Sequence, residues 1–100
     1  MLVELLYFDG CPSWQAALAN LRTVLGEEAP IKLIRVADDA DAVRQRFTGS
    51  PTIRVEGEDL FPTGQQDYAL GCRIYHSPDG LRGWPTPDMI RAALEARGKA

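Results

Sequence analysis

Two cysteines, Cys11 and Cys72, are the side chains of this sequence best suited to chemistry. Cys11 stands in Phe8-Asp9-Gly10-Cys11-Pro12, directly after an apolar run and directly before a helical pattern. The first turn of a helix offers unpaired N–H groups and the positive end of the helix dipole. Both favour a thiolate. A thiol of pKa about 8.5 is roughly 3% ionised at pH 7, and a pKa near about 6.5 would raise that to roughly 75%. The thiolate is the nucleophile and the metal ligand, so the position points to redox or soft-metal chemistry. Asp9 works against it, because a nearby carboxylate raises a thiol pKa. Asp9 is also a candidate proton donor, or simply the turn residue that closes the strand. For Cys11 the plainer alternative is a small buried side chain that happens to precede a helix.

Cys72 lies 61 positions further along. If the fold brings the two Cα atoms within about 4.4–6.8 Å, Cys72 is a remote resolving thiol. A fourth strand antiparallel to the third would carry it toward Pro51, with Arg73 placed to help hold a thiolate. The alternative is a buried strand cysteine. Two thiols from distant segments also suit a soft cation such as Hg(II) or Cu(I). No Cys-x-x-Cys or histidine cluster supports a zinc site, and no resident metal or cofactor is expected. His76, the only histidine, flanks a turn and reads as a surface residue rather than an acid–base group.

The elements that must position these residues follow from apolar spacing. Leu2–Phe8 is nearly continuous apolar sequence, the pattern of a strand buried on both faces. Trp14, Ala17, Leu18, Leu21 and Leu25 form one helical face, with Pro12 suited to the first position and Gly26 to the stop. Ile31–Val36 reads as an edge strand. Asp38 and Asp39 can cap a short helix with Ala40, Val43 and Phe47 inward and Gly49 at its end. Thr52–Val55 reads as a third strand and Glu56-Gly57-Glu58 as a turn. Gly71–His76 reads as a strand, followed by a turn at Ser77-Pro78-Asp79-Gly80. Thr86 can cap a last helix, with Pro87 first, Met89, Ile90, Ala93 and Leu94 buried, and Gly98 beyond. Tyr68, Tyr75 and Trp84 make residues 60–85 aromatic: a cover for the cysteine, a partner surface or a small satellite core. The predicted order is β-α-β-α-β-(loop)-β-α, an α/β class with parallel strands and covering helices.

At 100 residues the chain is read as a single domain, 1–100. Folding at this size buries roughly 65% of the unfolded surface, enough for a core without disulfide staples. The net charge of -3 and scattered basic residues argue against a nucleic-acid partner. No apolar run approaches the roughly 18 residues of a membrane span, and no positive leader opens the chain. A cytoplasmic location is therefore expected, where cysteines work transiently rather than as permanent bridges. Oligomeric state is not legible.

The strand–Phe8-Asp9-Gly10-Cys11-Pro12–helix corner resembles the active-site corner of the thioredoxin-like fold. Gly49-Ser50-Pro51-Thr52, opening the third strand, resembles that fold's cis-proline loop. The element order is similar over residues 3–55 and 86–97, with residues 60–85 as a long insertion before the last strand and helix. More narrowly, the chain resembles small bacterial thioredoxin-like proteins, some loosely associated with the alkylmercury lyase name. The resemblance implies a β-α-β-α-β-β-α thioredoxin-like domain. Cys11 would be its nucleophile, and Pro12, Trp14, Ser50 and Pro51 its substrate-contacting residues. It departs from the family's Cys-x-x-Cys motif, since Cys11-Pro12-Ser13-Trp14 puts a tryptophan in the second cysteine's place. Trp14 cannot resolve a mixed disulfide and also falls on the apolar helix face. The leading expectation is monothiol-type thiol–disulfide exchange at Cys11 with a protein or small thiol such as glutathione, released by Cys72 or an external thiol. The alternatives are a non-catalytic binding module on the same fold, and soft-metal or organomercurial binding by Cys11 and Cys72.

Overall fold

The computed structural model describes residues 1–64 and 67–98. Its elements run β1 (Val3–Tyr7), α1 (Ser13–Leu25), β2 (Lys32–Arg35), α2 (Asp39–Gln45), β3 (Thr52–Val55), β4 (Glu58–Asp59), β5 (Tyr75–Ser77), β6 (Gly80–Arg82) and α3 (Pro87–Gly98). β1–β4 form one sheet in the order β2-β1-β3-β4, and β5 and β6 form a separate hairpin.

β1 is central because its sequence can be buried on both faces. Leu5 and Leu6 are fully buried and point to opposite sides. Leu5 joins Val3, Ile53 and Val55 against Ala17 and Leu21 of α1 and Ile90 of α3. Leu6 joins Val36, Ala42 and Phe47 on the other face. α1 and α3 thus cover one side and α2 the other. β2 is an edge strand, with Lys32, Leu33 and Arg35 exposed.

The sheet is mixed α/β rather than parallel. Only β1 and β2 run parallel, while β3 is antiparallel to both β1 and β4. The reversal from β3 to β4 comes from a two-residue turn, Glu56 and Gly57, with φ of 54° and 81°. Positive φ at both positions is the type I′ hairpin geometry, which returns the chain at once. Glu58 therefore starts the fourth strand instead of ending a turn. The insertion falls after that strand, between β4 and α3, and not before it. Gln65 and Gln66 of the insertion lie outside the described residues.

α2 is capped as its sequence predicts, with the Asp38 carboxylate accepting the Asp41 N–H at 2.7 Å. It ends earlier than Gly49, at Arg46, whose φ is 54°. Its inward residue is Ala42, while Ala40 is exposed and Val43 is 58% exposed. Two turns of helix give one buried position, and Phe47 packs from beyond the end. At α3, Thr86 Oγ1 accepts the Met89 N–H at 3.2 Å, the cap its sequence predicts.

No helix among the described residues is long and apolar enough to cross a membrane.

Candidate functional site: a cysteine pair at Ser50

Cys11 closes a tight turn after β1, its N–H donating to the Phe8 carbonyl at 3.2 Å. Pro12 occupies the capping position of α1, so Cys11 lies one residue before the cap and two before the first helical residue. The side chain is fully buried. Its Sγ donates to the Ser50 carbonyl at 3.5 Å.

Ser50 opens the way into β3, and the Ser50–Pro51 peptide bond is cis. Its backbone is paired with a segment of the same chain. The Ser50 N–H donates to the Gly71 carbonyl at 2.7 Å, and the Arg73 N–H donates to the Ser50 carbonyl at 2.9 Å. These two bonds make a parallel bridge between Ser50 and Cys72. Cys72 thus reaches Pro51 from the insertion by a parallel contact, not from the end of an antiparallel strand. Gly71–Ile74 forms no continuous strand, and the hairpin begins at Tyr75.

Gly49 makes the approach feasible. Its φ is +129°, and a Cβ there would stand 3.0 Å from the Arg73 Cβ. A side chain at position 49 would push the 71–73 segment away.

Cys11 lies beside Ser50 through its Sγ and Cys72 through its backbone, and the two thiols titrate apart. Burial alone pushes Cys11 up. The Cys72 thiol and the Ser13 N–H at the start of α1 stabilise its thiolate and outweigh burial, so its pKa falls. The Ser13 hydroxyl adds to this. The Ser50 hydroxyl is buried and makes no hydrogen bond among the described residues. Cys72 shifts the opposite way, because its proton is held in the hydrogen bond to Cys11 and burial adds to that. Of the two, Cys11 is therefore the thiol that ionises more readily. Both are free thiols, Cys11 buried and Cys72 exposed.

Arg73 does not serve the thiolate. Adjacent residues of an extended segment face opposite ways, and Arg73 turns from Cys72 into the protein. Its guanidinium bonds Asp59 at 2.9 Å, Thr48 and Thr52 hydroxyls at 3.3 Å, and the Phe61 carbonyl. It also covers the Tyr75 ring at 4.9 Å. The Tyr75 hydroxyl donates to the Pro51 carbonyl at 2.5 Å. Asp9 is likewise taken, its carboxylate holding Arg35 at 2.6 Å on the exposed surface. His76 is exposed on β5. Trp14 is half-buried and stacks on Tyr7 with ring centroids 4.3 Å apart, while Pro12 is exposed.

Ser13, Gly71 and Asp59 are the contributors that the sequence did not single out. Ser13 was legible in principle, as the first helical N–H after the cysteine. Nothing in the sequence marks Asp59 as the partner of Arg73.

Compared with protein-family models, curated proteins and solved structures, the chain matches none. Among the described residues no group of three or more His, Cys, Asp or Glu side chains could hold a metal ion.

Proposed function

We propose that this chain is a thioredoxin-like thiol–disulfide exchange protein whose working pair is Cys11 and Cys72. One observation carries the reading: the two thiols, one per half of the chain, converge on Ser50. The sheet order β2-β1-β3-β4, the helix beginning just after Cys11 and the Ser50 corner beside its Sγ support the fold assignment. Cys72 supplies the second sulfur that the Cys11-Pro12-Ser13-Trp14 motif lacks.

The chemistry follows from two thiols placed beside the same residue, Ser50. With an outside disulfide R–S–S–R, one protein thiolate attacks, a mixed disulfide forms and R–S⁻ leaves. The other protein sulfur then attacks the mixed disulfide, closes the Cys11–Cys72 bond and expels the second R–S⁻. Two protein thiols lose two electrons, and R–S–S–R becomes two R–SH. Two molecules of an external thiol such as glutathione reverse the cycle. The lowered pKa of Cys11 makes it the better leaving group of the two sulfurs.

Mild oxidation followed by intact mass and peptide mapping tests this. The expected result is a loss of two hydrogens and a Cys11–Cys72 cross-linked peptide, formed within the monomer. A chain that stays reduced, or that links only between molecules, would sink the proposal.

A further inference from the structure

We infer that outside reagents meet the pair at Cys72, not at Cys11, and that they are small thiols and disulfides rather than extended protein strands. The inference rests on the two-thiol reading above and names its substrate class.

Three observations point the same way. First, Cys11 is fully buried while Cys72 is exposed. Second, Ser50 has no free backbone edge. Its N–H and C=O are both bonded to the Gly71–Arg73 segment, so a visiting strand has nothing to pair with there. That segment is not a loose flap. Arg73 is itself buried and tied to Asp59, Thr48, Thr52 and Phe61, which pins the neighbouring Cys72 in place. Third, Cys72 opens onto a cleft of about 440 Å³ with Thr48, Gly49, Leu70, Gly71 and Ile74 in its lining. Cys11 is not in that lining. A volume of this size belongs to small-molecule sites.

The exchange balances with Cys72 as the entry sulfur. The exposed Cys72 thiol gives its proton to water, and the Cys72 thiolate attacks one sulfur of R–S–S–R. A Cys72–S–R bond forms and R–S⁻ leaves. R–S⁻ takes the proton from Cys11, whose thiolate attacks Cys72 Sγ and expels the second R–S⁻, which is protonated by water. In reverse, a small thiolate attacks the exposed Cys72 sulfur and releases the Cys11 thiolate. A second thiolate then frees Cys72 and forms the outside disulfide.

The test uses the full reduced chain and two probes, the neutral small disulfide 2-hydroxyethyl disulfide and the protein disulfides of insulin. The wild-type chain is expected to form its internal disulfide with the small probe and to leave insulin at the rate of a free-thiol control. Cys11→Ser is expected to hold the mixed disulfide at Cys72. Cys72→Ser is expected to stay unmodified at Cys11 in the native state, at least tenfold slower, and to react once denatured. A brief alkylation pulse on the wild type, mapped by peptide mass, gives the same order without a substitution: Cys72 before Cys11. If Cys11 is modified as fast as Cys72, or insulin is reduced in preference to the small probe, the inference is overturned while the two-thiol reading stands. If the wild type forms no internal disulfide with either probe, the two-thiol reading itself falls.

Discussion

The Arg73 guanidinium meets the Asp59 carboxylate at 2.9 Å, and this pair fixes the position of the neighbouring Cys72. Arg73 is 95% buried by side chain, with 5% exposed, and Asp59 is 21% exposed. Arg73→Ala leaves Asp59 without its cation and strips the donors from Thr48, Thr52 and the Phe61 carbonyl. The expected cost is about 3 kcal/mol, at the low end for a broken buried pair because Asp59 keeps some water. Arg73→Lys keeps the charge but not the fork, and is expected to recover only part of the loss. Chemical denaturation measures both. The alanine variant should also expose Cys11 to alkylation. A variant that unfolds like the wild type and keeps Cys11 protected would show that Arg73 does not hold the segment.

The pair gives a signed pH dependence. The folded pKa of Cys11 lies below the ordinary thiol value and that of Cys72 above it. Lowered Cys11 adds stability that is complete above its unfolded pKa and lost as pH falls through its folded value. Raised Cys72 does the reverse: its contribution is complete below its unfolded pKa and is lost as pH rises through its folded value. The pair therefore releases its protons in two separated steps. Cys72→Ala removes the thiol donor, so the Cys11 midpoint should move up toward the ordinary range. Ultraviolet thiolate absorbance against pH reads this directly. An unchanged midpoint in Cys72→Ala would mean that the Ser13 N–H and hydroxyl alone set the thiolate.

Gly49→Ala should be damaging for two separable reasons. A φ of +129° strains any L side chain, and the new Cβ would press on Arg73 at 3.0 Å. The combined cost is expected to be about 1–3 kcal/mol. Because the contact is with the segment that carries Cys72, the rate of internal disulfide formation should fall along with the melting temperature. A loss of stability with unchanged disulfide formation would place the strain elsewhere.

Tyr75 gives a simpler case. Its hydroxyl donates to the Pro51 carbonyl, and burial pushes its pKa well up, so the fold holds it neutral. Tyr75→Phe leaves a buried carbonyl without a donor, at an expected cost of about 1–2 kcal/mol. The wild type should lose stability as alkaline pH rises past the unfolded tyrosine value, because the raised folded pKa favours the protonated form. Tyr75→Phe should lose less stability over that range, keeping the alkaline loss that Cys72 contributes. Melting curves of the two chains across neutral and alkaline pH decide it.

The sequence made the core strand, both long helices and Cys11 legible because each depends on local spacing. Leu5 and Leu6, the Trp14–Leu25 face and the Thr86 cap are read within a few residues of themselves. The insertion was not legible for the opposite reason. Cys72 is placed by Arg73 reaching Asp59, and by two backbone bonds to Ser50, all of them contacts between residues distant in the chain. The fourth strand depended on one turn: Glu56 adopting φ of 54° is not signalled by its residue type.

Trp14 separates a packing role from a substrate role. It occupies the second-cysteine position of the motif, yet its ring stacks on Tyr7 at 4.3 Å and packs on the cluster of Leu5, Ala17 and Leu21. A half-buried aromatic of this kind contributes less than a fully buried one, so Trp14→Ala is expected to cost about 2 kcal/mol. Trp14→Phe keeps a ring against Tyr7 and should lose less than half of that. Neither change touches Ser50, Cys11 or Cys72, so the rate of internal disulfide formation with a small disulfide should stay within about twofold of wild type once both variants are measured well below their melting temperatures. A Trp14→Ala chain of normal stability but with exchange slowed tenfold would give the opposite assignment: the ring would then be a substrate contact, and the position would have kept a role in recognition after losing its cysteine.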